Sequence, residues 1–331
     1  MRPDVALDVR ETSHMSAGML AYVRALRTWL PSIAPQLRVA YVGTGDNFDL
    51  AEQAGLPLTV ARLRPRVVHV PTPFVPRVVP APLIVTVHDV IDLEYPQYVK
   101  PKVVPYWRYV VAPVLRAARA VITDDDATVT LLARYAGVDP ARVRVVPLGV
   151  DAPASVAPVQ REQPYFFYAG NRRPHKDVPT LVRAWAELPK RYAADLVLTG
   201  PPDPSLAAER ANGRLVFAGD VGADELWGWY AGAAACVQPA RREGFGLPAL
   251  EALRVGTPAI AADRAAPAVL RPYLHAYPAG DAAALGALLA RALDESAEWR
   301  SAARAARQAT ASLTWERTAR ATVAVYEEVL G

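Results

Sequence analysis

The chain has 331 residues, 52% of them hydrophobic, and carries 37 Lys and Arg against 33 Asp and Glu, a formal charge of +4. That length exceeds one ordinary core, so two domains are expected, and the apolar share excludes a disordered chain. No uncharged run reaches the ~18 residues of a membrane-crossing helix, and the lone Cys236 excludes an internal disulfide or a cysteine zinc cluster.

In chain order, the first half reads as short β-rich runs alternating with helical patterns. The runs are VALDV (5–9), LRVAYVG (37–43), VVHV (67–70), LIVTVHD (83–89), AVIT (120–123) and VRVVPLG (143–149). A helix is predicted over 17–30, where Met19, Val23, Leu26 and Leu30 recur on one face. Another spans roughly 126–136, with Asp125 as N-cap and Gly137 closing it. DAPASVAPVQREQP (151–164) is rich in Pro and Ala, lacks periodicity and reads as a linker. The alternation then restarts with YFFYAG (165–170), a helix near 177–188, LVLTG (196–200), LVFAG (215–219) and a helix over 223–233. ACVQPA (235–240), a helix over 246–255, PAIAAD (258–263) and an amphipathic helix over 315–330 complete it. Strand–helix alternation of this kind predicts parallel sheets covered by helices, with ligands at the carboxyl ends of the strands.

The stretch REGFGLPALEALRVGTP (242–258) holds the most specific chemistry. Pro248 suits a first helical turn, because its missing N–H costs nothing there. Gly244 and Gly246 allow close backbone approach, and the free N–H groups of the helix start favour an anion. Glu243 stands just before that start, and Glu251 on the second turn leans back toward it. Carboxylates accept paired hydrogen bonds from vicinal hydroxyls, so the pair suits a sugar or a ribose. Capping explains either Glu singly but not the adjoining Gly-Phe-Gly.

Three further stretches accompany it. In YAGNRRPHKDVPTLVRAW (168–185), Arg172, Arg173 and Lys176 crowd a helix N-terminus. Cations there oppose the helix dipole unless an anion such as a diphosphate is bound. In TVHDVIDLEYP (86–96), His88 ends a strand. In SAGMLAYVRAL (16–26), Gly18 lies at a helix start.

Together these stretches resemble the retaining glycosyltransferases of the group 1 class, family GT4, which have the GT-B fold. EGFGLPALEALRVGTPAIAAD is very similar to that family's consensus, with Glu243 and Glu251 matching its E-x7-E motif. The "HD" followed by "YP" of 86–96 resembles mannosyltransferase-like members, and SLTWERTARATVAVYEEVL resembles the family's closing helix. The resemblance implies an α/β, GT-B architecture of two Rossmann-like domains facing across a cleft: an acceptor-side domain (1–155), a nucleotide-sugar-binding domain (156–314) and a crossover helix (315–331) that returns to the first domain. It also implies the roles of individual residues. His88 and Glu243 would act on the donor sugar and Glu251 would bind the nucleotide ribose. Gly18, Lys176 and an Arg (Arg172 or Arg173) would hold the diphosphate with main-chain groups of Phe245, Gly246 and Leu247. No metal or other cofactor is expected. The chain departs from the family at TDDDAT (123–128), where Asp125 and Asp126 replace a Ser-Glu pair, and near Ala268, where a common Glu is absent.

The reaction implied moves a hexose, mannose by expectation, from a GDP- or UDP-linked sugar to a saccharide or lipid-linked hydroxyl, with retention at the anomeric carbon. A non-catalytic sugar-nucleotide binding protein and a GT-B-type epimerase or phosphorylase are the alternatives. A metal-dependent enzyme using Asp124, Asp125 and Asp126 fits less well, because Asp125 serves more simply as an N-cap. Charge bears on the acceptor. Residues 1–150 hold 17 basic against 13 acidic residues, whereas 151–331 hold 20 of each. The stretches 53–88 and 95–123 contain no acid at all. Such a half attracts an anionic acceptor or an anionic membrane, and without a recognition motif nucleic acid is not an expected partner. The charged N-terminal stretch has no apolar signal core, so the expected location is cytoplasmic, with membrane association at the inner face.

Overall fold

The computed structural model describes residues 1–12, 15–43, 50–206 and 212–331, with only the backbone at 50–52. The chain divides into two compact units, Met1–Gly149 with Leu313–Gly331, and Val150–Ser312. Among the described residues no helix is long and apolar enough to cross a membrane.

The first unit runs β1 (Val5–Asp8), α1 (Ala17–Ile33), β2 (Val39–Val42), α2 (Leu50–Leu63), β3 (Val67–Val70), β4 (Leu83–Thr86), α3 (Ile91–Glu94), α4 (Val103–Tyr106), α5 (Ala112–Ala117), β5 (Ala120–Thr123), α6 (Asp126–Ala136) and β6 (Val143–Val145). Its strands form a parallel sheet in the order β2-β1-β3-β4-β5-β6. The β-branched runs VVHV, LIVT and AVIT are buried at every position, as a parallel sheet covered on both faces requires. Helix α6 spans the residues predicted for it. Asp125 caps it by accepting from the Ala127 N–H at 3.2 Å, and Gly137 closes it in the left-handed region.

Helix α1 continues past its predicted end through Pro31. Proline removes the N–H that would reach the Arg27 carbonyl. The Tyr41 hydroxyl donates to that carbonyl at 3.4 Å instead. The helices around 91–117 and at 50–63 were not expected. The former are short pieces joined through a π-helical turn at Trp107–Val111, which breaks their periodicity.

The last helix, α12 (Trp315–Leu330), belongs to this first unit and lies along α1. It is fastened through a buried polar chain. His69 of β3, fully buried, shares hydrogen bonds with the Tyr326 hydroxyl (2.7 Å) and with Thr86 Oγ1 (2.8 Å). The Tyr22 hydroxyl reaches the same Thr86 oxygen at 3.2 Å. At the surface Arg144 pairs with Glu328. Where this segment begins, Gly149 lies against it: a Cβ there would stand 2.1 Å from the Thr314 carbonyl carbon. That neighbour is backbone and cannot swing aside. Gly149→Ala is therefore expected to destabilise by about 1–3 kcal/mol, the usual cost of overpacking. A chemical-denaturation midpoint equal to that of the parent protein would refute the close contact.

The second unit runs β7 (Tyr165–Tyr168), α7 (Val178–Ala186), β8 (Asp195–Leu198), β9 (Leu215–Phe217), α8 (Ala223–Gly232), β10 (Ala235–Gln238), α9 (Leu247–Arg254), β11 (Ala259–Ala262), β12 (His275–Tyr277), α10 (Ala282–Asp294) and α11 (Ser296–Ala309). The strands pair in parallel in the order β12-β11-β10-β7-β8-β9. From β7 the chain builds outward through β8 and β9, then returns to lay β10, β11 and β12 on the other side. The order reverses between β7 and β10, and in open α/β sheets ligands bind at such a reversal. One face of the sheet buries Phe166, Tyr168, Leu181, Trp185, Leu196, Val237 and Leu289. The other buries Phe167, Trp229, Tyr230, Cys236, Ala249 and Leu253.

The segment 151–164, expected as a linker, has no regular structure but is held against this unit. Val159 N–H donates to the Gly228 carbonyl (2.9 Å), and Arg161 forms hydrogen bonds at 2.9 and 2.7 Å with the buried Asp195. Both anchors are distant in sequence, so local composition cannot reveal them.

Candidate sugar-nucleotide site

The two loops flanking the reversal in the second sheet carry the residues of interest. The first leaves β7 and enters α7 through a short 3-10 turn at Pro174–Lys176. The second leaves β10 and enters α9. Because β7 and β10 are neighbours, Lys176 and Glu243, 67 residues apart, meet. Lys176 Nζ lies 2.7 Å from both Oε1 and Oε2 of Glu243. The side chains are 16% and 9% exposed, so each charge is largely removed from water and answered by the other.

Two further contacts tie the loops together. Arg241 N–H donates to the His175 carbonyl at 2.8 Å, and its guanidinium faces Asp177 Oδ2 at 3.2 Å. Asp177 has a φ of +50°, and its Oδ1 accepts from Thr180 Oγ1 at 3.0 Å, which anchors the first turn of α7. His175 is buried. Burial, with the charges of Lys176 and Arg173 added, holds its pKa down at about 4, so it is neutral around pH 7.

At the start of α9, Gly246 serves as N-cap with φ +74°, a conformation that favours glycine. No side chain caps this helix, and Pro248 occupies its first turn. Pro248 has no N–H, and those of Ala249 and Leu250 donate to the Gly246 carbonyl at 3.0 and 3.3 Å. At this helix start it is therefore the Leu247 N–H that can meet an incoming acceptor. Phe245 is buried and anchors the turn. Glu251, one turn into α9, accepts from the Tyr230 hydroxyl at 2.6 Å. Burial raises the Glu251 pKa, and the Tyr230 hydrogen bond opposes that rise.

Arg172 has its own set of partners. Its guanidinium donates to the carbonyls of Thr199 (2.9 Å) and Pro201 (2.6 Å), faces Asp203 at 3.7 Å and lies over the Phe217 ring at 5.0 Å. It thus braces the carboxyl ends of β8 and β9. Arg173 is exposed beside it.

The remaining predicted residues belong to the first unit. Gly18 is in the first turn of α1, whose N-cap Ser16 accepts from Met19 N–H at 3.3 Å. His88 follows β4. Its Nδ1 lies 2.8 Å from Asp124 Oδ2, and its ring meets Tyr22 of α1 edge-on with centroids 5.0 Å apart. Among the described residues no cluster of three His, Cys, Asp or Glu side chains has a metal-binding arrangement.

Sequence reasoning did not single out Tyr230, Asp177 or Arg241, nor pair Asp124 with His88. Asp124 stood in the acidic triplet, and its distance of 36 residues from His88 could not disclose the contact. Tyr230 carried no signal, being one aromatic among several in WGWYAG.

Comparison with known proteins bears on this arrangement. A family model described as "Glycosyl transferases group 1" matches residues 163–295, and one described as "Glycosyltransferase Family 4" matches residues 33–153. The chain belongs to the GT4-like glycosyltransferases of the GT-B fold. Among curated relatives, it is 29% identical over 270 residues to the MMP alpha-(1->4)-mannosyltransferase of Mycolicibacterium hassiacum, covering 75% of this chain and 66% of that one. It is 25% identical over 185 residues to the O-antigen chain mannosyltransferase RfbU of Salmonella typhimurium, covering 54% and 51%. The matches thus span about half to two thirds of those relatives' lengths. Among solved structures, sucrose-phosphate synthase from Thermosynechococcus elongatus superposes with a TM-score of 0.75 at 21% identity, covering 99% of each chain. HepE of Anabaena, solved in complex with UDP-glucose, gives 0.70 at 16% identity, covering 98% of each.

Proposed function

We propose that this GT4-like chain transfers a hexosyl group from a nucleotide diphosphate sugar to a saccharide or lipid-linked hydroxyl, with retention. The observation that carries the reading is the Lys176–Glu243 pair, set at the reversal of the second sheet beside the uncapped start of α9. A donor diphosphate at that helix start draws the Lys176 ammonium toward its oxygens. Glu243, freed from the pair, then accepts hydrogen bonds from the sugar hydroxyls. Glu251, oriented by Tyr230, accepts from the ribose. His88 orients the sugar as transfer proceeds.

The barrier lies in parting the anomeric carbon from the diphosphate while oxocarbenium-like charge develops. Lys176 and the Leu247 N–H stabilise the departing anion electrostatically. With these groups neutralising it, the reaction proceeds without a bound metal. Arg172 contributes indirectly, by bracing the ends of β8 and β9, of which β8 pairs with the loop-bearing β7.

Mannose is the proposed sugar, supported by the mannosyltransferase names of both relatives, and GDP-mannose is the first donor to try. UDP-glucose is the second, supported by its presence in HepE. The acid-free stretches 53–88 and 95–123 support an anionic acceptor, a lipid-linked one at the inner membrane face included.

Thermal denaturation with each donor tests the reading. A bound donor at a hundredfold excess over its Kd stabilises by about 2.7 kcal/mol. One of the two donors is expected to raise the Tm selectively and to be consumed when a saccharide acceptor is present. Raised Tm with no consumption across acceptors would favour a sugar-nucleotide binding protein, and no shift with either donor would reject the site.

A further inference from the structure

In the first sheet, β4 and β5 pair in register with Thr86 opposite Ile122. Two residues on, past the carboxyl ends of both strands, the same register brings His88 opposite Asp124. Their contact, Nδ1 to Oδ2 at 2.8 Å, is thus built by strand pairing rather than by a loop. The Asp124 side chain is 1% exposed and that of His88 is 11% exposed. A carboxylate so deeply buried needs a partner, and His88 supplies a charge-assisted hydrogen bond. The far ring nitrogen, Nε2, is buried and has no hydrogen-bond partner. Tyr22 packs edge-on against the ring and limits its rotation.

We propose that Asp124 is a positioning residue for glycosyl transfer: it locks the His88 ring with Nδ1–H toward its own carboxylate and presents Nε2–H as a cationic donor to an oxygen of the donor substrate. This rests on the reading of His88 as a group that acts on the donor.

The electrostatic surroundings agree. Burial alone would depress the His88 pKa, but the charge of Asp124, its hydrogen bond and the charge of Asp89 outweigh burial and raise it. On the neighbouring strand β3, the pKa of His69 is depressed to about 3 by burial and, secondarily, by the charge of His88, so it is uncharged at neutral pH. Tyr22 faces the ring from α1, and burial keeps its hydroxyl protonated. Asp125 lies beside Asp124 and, with burial, raises the Asp124 pKa, while His88 opposes that rise. The charge of Asp124 thus favours the protonated ring, and Nε2 loses its proton at lower pH when Asp124 is neutralised.

The test uses the full chain, with Asp124→Asn as the isosteric neutral variant and Asp124→Glu as the charge-retaining one. Imidazole NMR titration of His88 and donor consumption between pH 5.5 and 9 are both read, with GDP-mannose and UDP-glucose offered separately. In Asp124→Asn the His88 titration is expected to move down by at least one pH unit. The alkaline limb of kcat is expected to move with it, and kcat at pH 8 to fall about tenfold, with KM little changed. Asp124→Glu is expected to restore part of each. An unmoved His88 titration in Asp124→Asn would overturn the proposal, as would an unmoved kcat profile. If Asp124→Asn fails to fold, the Glu variant decides: a parental melting curve with an altered pH profile supports the positioning role, and an unaltered profile overturns it. Absence of donor consumption by the parent protein sinks the glycosyl-transfer reading and this inference with it. Consumption with unaltered profiles in the variants sinks this inference alone.

Discussion

Lys176→Ala is expected to lower donor turnover by on the order of 10²-fold, the usual cost of deleting one pre-organised charge-stabilising donor. The geometry argues for so large an effect. The ammonium is 16% exposed and contacts both oxygens of Glu243, so it is already desolvated and oriented before any ligand arrives. Such a group has already lost most of its water, and it only has to exchange the Glu243 carboxylate for the diphosphate. The same substitution strands Glu243, 9% exposed, without its cation, and that costs stability as well. The two effects are separable. Glu243→Gln removes the stranded charge, so the double variant Lys176→Ala/Glu243→Gln is expected to recover most of the lost Tm but none of the lost turnover. A pair that served stability alone would give the opposite pattern, with turnover restored alongside the melting temperature. Measuring kcat/KM and Tm across the four proteins of this cycle decides between them.

Tyr326→Ala is expected to destabilise the first unit by about 3–5 kcal/mol, the range for deleting a large buried aromatic. Leaving His69 without its hydrogen bond adds about 1–3 kcal/mol. Against a typical total of about 5–15 kcal/mol, that is enough to unfold a marginal unit. Tyr326 is fully buried, and its hydroxyl joins α12 to β3 through His69. Tyr326→Phe isolates the hydrogen bond and is expected to cost about 1–3 kcal/mol alone. Urea denaturation followed by a probe in each unit reads both variants. A loss confined to the second unit would contradict the attachment. Acid provides a companion check. His69 is held neutral down to about pH 3 in the native protein, whereas in the unfolded chain it takes up a proton near its ordinary pKa of 6.5. The unfolded state binds more protons between these values, so stability falls as pH drops through that window. Tyr326→Phe leaves His69 buried and is expected to keep this slope.

Much of this architecture was legible because its strands are buried on both faces. Runs such as LIVT and AVIT have few other uses, and Asp125 and Gly137 marked both ends of α6. The continuation of α1 through Pro31 was not legible, because the carbonyl that this proline frees is met by Tyr41 from another element. Helices α10 and α11 went unread because much of what they bury is alanine, as at Ala292, Ala303 and Ala306. Buried alanines in an alanine-rich stretch are easily taken for composition. The motif stretches singled out Glu243, Glu251 and Lys176. That Lys176 and Glu243 touch follows from β7 lying beside β10, which no spacing along the chain records. The same holds for Asp124 and His88, brought together by β4 and β5.

The return of α12 to the first unit sets an order on biosynthesis. Residues 1–149 are synthesised before the second unit, yet the helix that covers His69 and lies along α1 is synthesised after it. The second unit, continuous from 150 to 312, can close while the earlier one still lacks a wall. Nascent chains of this kind reverse the usual sequence in which the N-terminal domain matures first. The unfinished half therefore spends the whole interval of downstream translation with an apolar face uncovered, and it is the half most in need of a chaperone.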